Sequence, residues 1–205
     1  MTHSLHRSGT IKSLRGDYVW LMYQAKGIND KNIAPKAMEF IAAAEAVGSE
    51  NWGDVKSGPT TLLPVADIKA RVSDQSRLRG CFTRRQQVVD FLNQVKAKDL
   101  GLSEIISGLL EEVLPACRDA GVTPHTINYA AGVWGKKELL PSEETLAVTT
   151  MCGHHMVPPG VVEHLRDDVR AGRRKPEDAA RELATFCPCG IFNPVRATNL
   201  LKGDE

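Results

Sequence analysis

"SRLRGCFTRRQQVVDFLNQVKAKDLGLSEIISG", residues 76–108, decides the fold class. Its opening, "SRLRGCFT", sets β-favouring side chains around Cys81 and reads as a strand. "TRRQQVVDFLNQVKAKDLG" then places Val88, Val89, Leu92 and Val95 on one face at helical spacing, and Gly101 supplies the stop. "LSEIISG" is a second short strand. The next stretch, "LLEEVLPACRDAG", is a second helix with a Leu110, Val113, Leu114 stripe and Gly121 after its end. "HTINYAAGVWG", residues 125–135, reads as a third strand. Strands and helices alternating at these lengths predict an α+β (or α/β) fold, a small sheet with flanking helices.

Working toward the N-terminus, "SENWGDVKSGPTTLLP" (49–64) is rich in Gly, Ser and Pro and is expected as a loop. "APKAMEFIAAAEAVG" (34–48) is a helix ended by Gly48. "SLRGDYVWLMYQAKG" (13–27) is expected as a short helix stopped at Gly27. Before it lies a polar arm with His3 and His6, spaced like metal ligands; it is expected as a solvated arm, with a flap over a site as the alternative.

From about residue 139 the pattern becomes helix and loop. Ser142 caps "EETLAV", with acidic residues in the first turn. "PPGVVEHLRDDVRAG" and "KPEDAARELATF" are amphipathic helices that begin at proline. In "NPVRATNLL" Asn193 is the N-cap and Pro194 the first helical residue. Residues 1–138 are thus an α/β body with its arm. Residues 139–205 are a helical, metal-binding C-terminal part packed on the same domain.

The chain has 205 residues and five cysteines, three of which, Cys152, Cys187 and Cys189, fall in the loops between these last helices. They stand in "MCGHHMVPPG" (151–160) and "FCPCGIFNP" (186–194). Cys81 and Cys117 sit in apolar elements and read as small buried hydrophobes. Two thiols separated by one proline in a loop have no comparable packing role. Thiolates are soft ligands for zinc, copper(I) or iron–sulfur clusters. A "CPC" turn can send its sulfurs to different irons, and cysteine beside proline recurs at such sites. A 4Fe–4S cluster held by Cys152, Cys187 and Cys189 is therefore expected, with zinc, recruiting His154 or His155, as the alternative cofactor.

Three thiolates leave one iron open to bind and activate a small substrate as a Lewis acid. His154 and His155 would move protons beside it, and Arg196, at the start of the last helix, would hold an anionic group. The arrangement resembles that of enzymes using one unligated iron of a 4Fe–4S cluster, such as hydro-lyases of the aconitase kind and cluster-dependent desulfidases. The resemblance covers those three cysteines and implies a mechanism class: lyase, desulfidase or reductase chemistry, sensitive to oxygen. A fourth protein ligand would instead close the site, giving an electron carrier or cluster-delivery protein that works on a redox partner.

The net charge of +1 gives no electrostatic case for nucleic acid or acidic membranes. No apolar run approaches the roughly 20 residues that span a bilayer. The N-terminus lacks a secretory signal, and an odd number of cysteines argues against a disulfide framework. A cytoplasmic location is the expectation. Trp134 is expected to pack, and His125 to end a strand. There is no Walker loop, Gly-x-Gly-x-x-Gly fingerprint or Gly-x-Ser-x-Gly elbow.

Overall fold

The run "YVWLMY" forms strand β1 (Tyr18–Tyr23), almost wholly buried, in a computed structural model that describes residues 5–203. The helix expected over 13–27 is thus corrected: only α1 (Ile11–Leu14) is helical there, and it precedes the apolar run. A strand buried on both faces needs apolar side chains at every position, which hides its period of two. Val19 and Leu21 point to one core, and Tyr18, Trp20 and Met22 to the other.

The segment 49–64 also departs from expectation. It holds β2 (Asn51–Asp54) and the two-residue β3 (Gly58–Pro59). With β4 (Arg79–Phe82) and β5 (Ser103–Ser107) they complete a five-stranded antiparallel sheet of order β3-β2-β4-β1-β5. Gly and Pro sit in these strands because the backbones crowd. A Cβ on Gly53 would lie 2.5 Å from the Gly58 oxygen and from Pro59 Cα. An antiparallel sheet with flanking helices confirms the α+β class.

One face carries α2 (Ile33–Ala46), α3 (Val65–Ala70), α4 (Arg85–Lys98) and α5 (Leu110–Asp119). Their apolar stripes meet Tyr18, Trp20 and Phe82 in a core that includes Phe40, Phe91, Leu92 and Val113. Trp20 stacks on Phe82 and meets Phe91 at a tilt, and its Nε1 donates to Ser49 Oγ at 3.0 Å. The other face carries α6 (Glu143–Thr149), α7 (Pro159–Arg170), α8 (Pro176–Thr185) and α9 (Pro194–Lys202). Ser142 and Asn193 cap α6 and α9 through their side chains, as the sequence predicts. The second core joins Val19 and Leu21 to Leu165, Leu183, Phe192 and the cysteines of the two loops.

Residues 125–135 are not a strand. They run over the surface without regular structure, with Tyr129 68% and Trp134 81% exposed, so Trp134 does not pack. His125 ends no strand, and its Nδ1 lies 2.8 Å from Thr126 Oγ1. The pattern suits a strand, but the segment pairs with no strand of the sheet. No described helix is long and apolar enough to cross a membrane.

Gly80 stands in register between Trp20 and Trp52, and a Cβ there would lie 2.6 Å from the Trp20 indole nitrogen and 2.5 Å from the Asn51 oxygen. Gly80→Ala is expected to destabilise by about 2 kcal/mol, through overpacking that must displace a tryptophan or a strand. A urea titration should show a lower midpoint with unchanged slope. An unchanged midpoint would mean that this crossing is not tightly packed.

Candidate metal centre

Two loops bring the three cysteines together on the sheet's second face. The first follows α6: the Cys152 amide donates to Thr149 O, and a turn closes with the His155 amide on Cys152 O at 3.0 Å. His155 adopts φ 53°, a left-handed conformation uncommon for residues other than glycine. The second loop links α8 to α9, with the Cys187 amide donating to Ala184 O at 3.1 Å.

The sheet fastens this second loop. Phe192 O accepts from Asn51 Nδ2 at 3.0 Å and from the Cys81 thiol at 3.4 Å. Asn51 and Cys81 are cross-strand partners, so β2 and β4 present both donors side by side. Asn51 is itself oriented by Thr60, whose hydroxyl donates to Asn51 Oδ1 at 2.9 Å. Gly190 has φ 84° and lies so close to β2 that a Cβ would stand 2.5 Å from the Trp52 carbonyl carbon. Only glycine meets both demands.

Asp17 ties the ends of the chain to the same place. Its carboxylate, fully buried, pairs with Arg7 and, at 2.9 Å, with Arg196 Nη1. Asn193 Nδ2 donates to Asp17 Oδ1 at 3.1 Å, while Asn193 Oδ1 caps α9 through the Arg196 amide. Arg7 also donates to Ile191 O and, at 3.3 Å, to Met151 O. One guanidinium therefore touches both cysteine loops, one residue before Cys152 and two after Cys189.

The three thiols are completely buried. Cys187 Sγ and Cys189 Sγ lie 3.8 Å apart, and Cys189 Sγ is 3.7 Å from His154 Nδ1. The Cys152 side chain interacts with that of Cys187 across the two loops. Hydrogen bonds from Cys152 and Cys189 pull the Cys187 thiol well below its ordinary range, helped by the backbone amides of Cys189 and Phe192. Donation to Cys187, then burial, pushes Cys152 and Cys189 up. The Arg79 cation acts the other way on Cys189, favouring its charged form. Burial, with the Asp17 carboxylate second, raises Cys81. All five cysteines are free.

The expected donors Cys152, Cys187, Cys189 and His154 thus meet in a chain of contacts. As they stand, no group of three or more His, Cys, Asp or Glu side chains among the described residues is placed to hold a metal ion. His155 lies on the exposed side with its ring centroid 6.3 Å from that of His6. Arg196 is engaged internally: besides Asp17 it donates to Ser13 Oγ at 2.9 Å and Ser8 O at 2.6 Å. His3 lies outside the described residues. A cavity of about 220 Å³ is bounded by Lys12, Thr83, Arg196 and Asn199, and a second of about 140 Å³ lies by Glu144 and Arg166; neither is lined by a cysteine. Sequence reasoning missed Arg7, Asp17, Asn51 and Arg79, which support the loops without being ligand types in a ligand pattern.

No protein-family model, no curated protein and no solved structure matches this chain. Chemistry and geometry alone bear on its function.

Asp17→Ala would leave two buried guanidinium groups without their counter-charge. The expected cost is about 3–5 kcal/mol, as for breaking a buried pair, with faster reaction of the loop thiols with a thiol reagent. A loss under about 1 kcal/mol, the range of exposed pairs, would contradict this account of the anchor.

Proposed function

We propose that the protein binds a soft metal through Cys152, Cys187 and Cys189, with His154 as fourth donor. The convergence of three thiols from two separate loops in a fully buried cluster carries the reading. Thiols that converge from separate loops are soft donors which a metal ion can deprotonate and bind together. The spacings favour one tetrahedral ion. With Zn–S bonds of about 2.3 Å, two sulfurs on one zinc are about 3.8 Å apart, and a sulfur and an imidazole nitrogen about 3.6 Å. The Cys187–Cys189 and Cys189–His154 separations of 3.8 and 3.7 Å match those edges. Binding then draws Cys152 and His154 inward around the ion and releases the protons of the flanking thiols. Such a centre cross-links the α6–α7 and α8–α9 loops over the sheet, a structural role.

A second reading keeps the 4Fe–4S cluster, supported by the count of three cysteines and by the proline between two of them. A cluster places its thiolates on different irons, so the loops must open beyond 3.8 Å. Cys152, Cys187 and Cys189 would hold the cluster, which would supply a Lewis-acidic iron for a small substrate, and His154 would move protons rather than hold metal. Closed by His154, the cluster would serve a redox partner. Either centre, with five free cysteines, suits a reducing, cytoplasmic setting.

Full-length protein prepared without oxygen and assayed for zinc, iron and acid-labile sulfide tests both. The zinc reading predicts a colourless protein with about one zinc per chain. Brown protein with iron and sulfide moves the assignment to the cluster, and neither metal overturns both. Replacing Cys152, Cys187 or Cys189 by Ala should abolish metal retention. Cys117→Ala should cost about 1 kcal/mol of packing, and Cys81→Ala about 1–2 kcal/mol with its hydrogen bond to Phe192, both keeping the metal. Metal loss from a folded Cys81 or Cys117 variant would contradict the ligand assignment.

A further inference from the structure

His6 and His155 are exposed and come from opposite ends of the sequence, yet their ring centroids lie 6.3 Å apart. Two imidazoles on one tetrahedral zinc, with Zn–N bonds of about 2.0–2.1 Å, leave their centroids about 5 Å apart, so the two exposed rings need close by only about 1 Å to share an ion. Their meeting is held from both sides. His155 sits in the left-handed conformation, at the turn closed on Cys152 O. His6 is the neighbour of Arg7, which is pinned to Asp17 and to the carbonyls of Met151 and Ile191. The arm therefore has little freedom to carry His6 elsewhere. His154, next in the chain to His155, already reaches the buried sulfur of Cys189 at 3.7 Å.

We propose that His6 and His155 form a surface acceptor site for zinc, with water in the remaining coordination positions, from which the buried thiols are loaded. The thiols are shut off from solvent, so an ion reaching them must shed its water stepwise. Two exposed imidazoles beside the thiol loops supply the first exchange, and His154 the second. Nitrogen ligands give way to thiolates because sulfur is the softer and tighter donor for zinc. No redox step is involved: each thiol that binds releases its proton to solvent. This inference rests on the zinc reading of the thiol centre.

Stopped-flow mixing of metal-free full-length protein with zinc, followed by a zinc-sensitive dye, tests it. With one equivalent of zinc, the double variant His6→Ala/His155→Ala should reach the same final zinc content as wild type, with uptake about tenfold slower, the order of effect expected on removing groups around a metal. Both side chains are exposed, so the fold is not at risk. In a Cys187→Ala/Cys189→Ala background, where the thiol centre cannot form, a weaker zinc site should remain and vanish when His6 and His155 are also replaced. Wild type binding zinc no more tightly than this background would count against the thiol centre and against loading, and would leave the histidine pair as a zinc site only. Equal uptake rates, or residual binding indifferent to the two histidines, would overturn the proposal.

Discussion

Asp17 is a carboxylate with no exposed side-chain surface, set where the chain enters strand β1. Burying such a charge costs several kcal/mol unless partners surround it, and every partner it recruits is remote in sequence or lies in the arm. Arg7 arrives from the N-terminal arm, and Arg196 and Asn193 from the start of α9. The carboxylate thereby fixes the first described residues, the last helix and the sheet at one point. Arg7 passes the constraint on by holding the carbonyls on either side of the cysteine loops. The geometry of the thiols depends on a charge balance that contains no thiol.

Around that anchor the sheet separates two unlike cores. One is aromatic and conventional, with Trp20, Phe40, Phe82 and Phe91 in contact. The other is built mainly from Ala, Val and Leu with three cysteines, and Phe192 is its one fully buried ring, with Phe186 packed against it. Helices with many alanines, such as α8 with Ala179, Ala180 and Ala184 buried, approach closely and bury little apolar area each. A metal cross-link between their loops would supply cohesion that this thin core lacks.

Helical periodicity in α4 and α5, the glycines after them and the caps of α6 and α9 all state local preferences, and the structure honours them. Three segments mislead for physical reasons. "YVWLMY" is apolar at every position because both its faces are covered, so strand and helix look alike in sequence. "NWGD" and "GP" carry turn-forming residues in strands because Gly53 admits a backbone that any side chain would repel. "HTINY" alternates like a strand but finds no neighbour in the sheet. The candidate donors were legible because cysteine pairs in loops have few other uses. The residues that aim them were not. Asn51 acts on Phe192 and Arg7 on Ile191 across distances in sequence that no local pattern records.

Whether three thiolates share one metal centre, as proposed, can be read from zinc K-edge absorption on the metal-loaded full-length protein. A shell of three sulfur scatterers at about 2.3 Å and one nitrogen at about 2.0–2.1 Å is expected. A first shell of nitrogen and oxygen alone would contradict it.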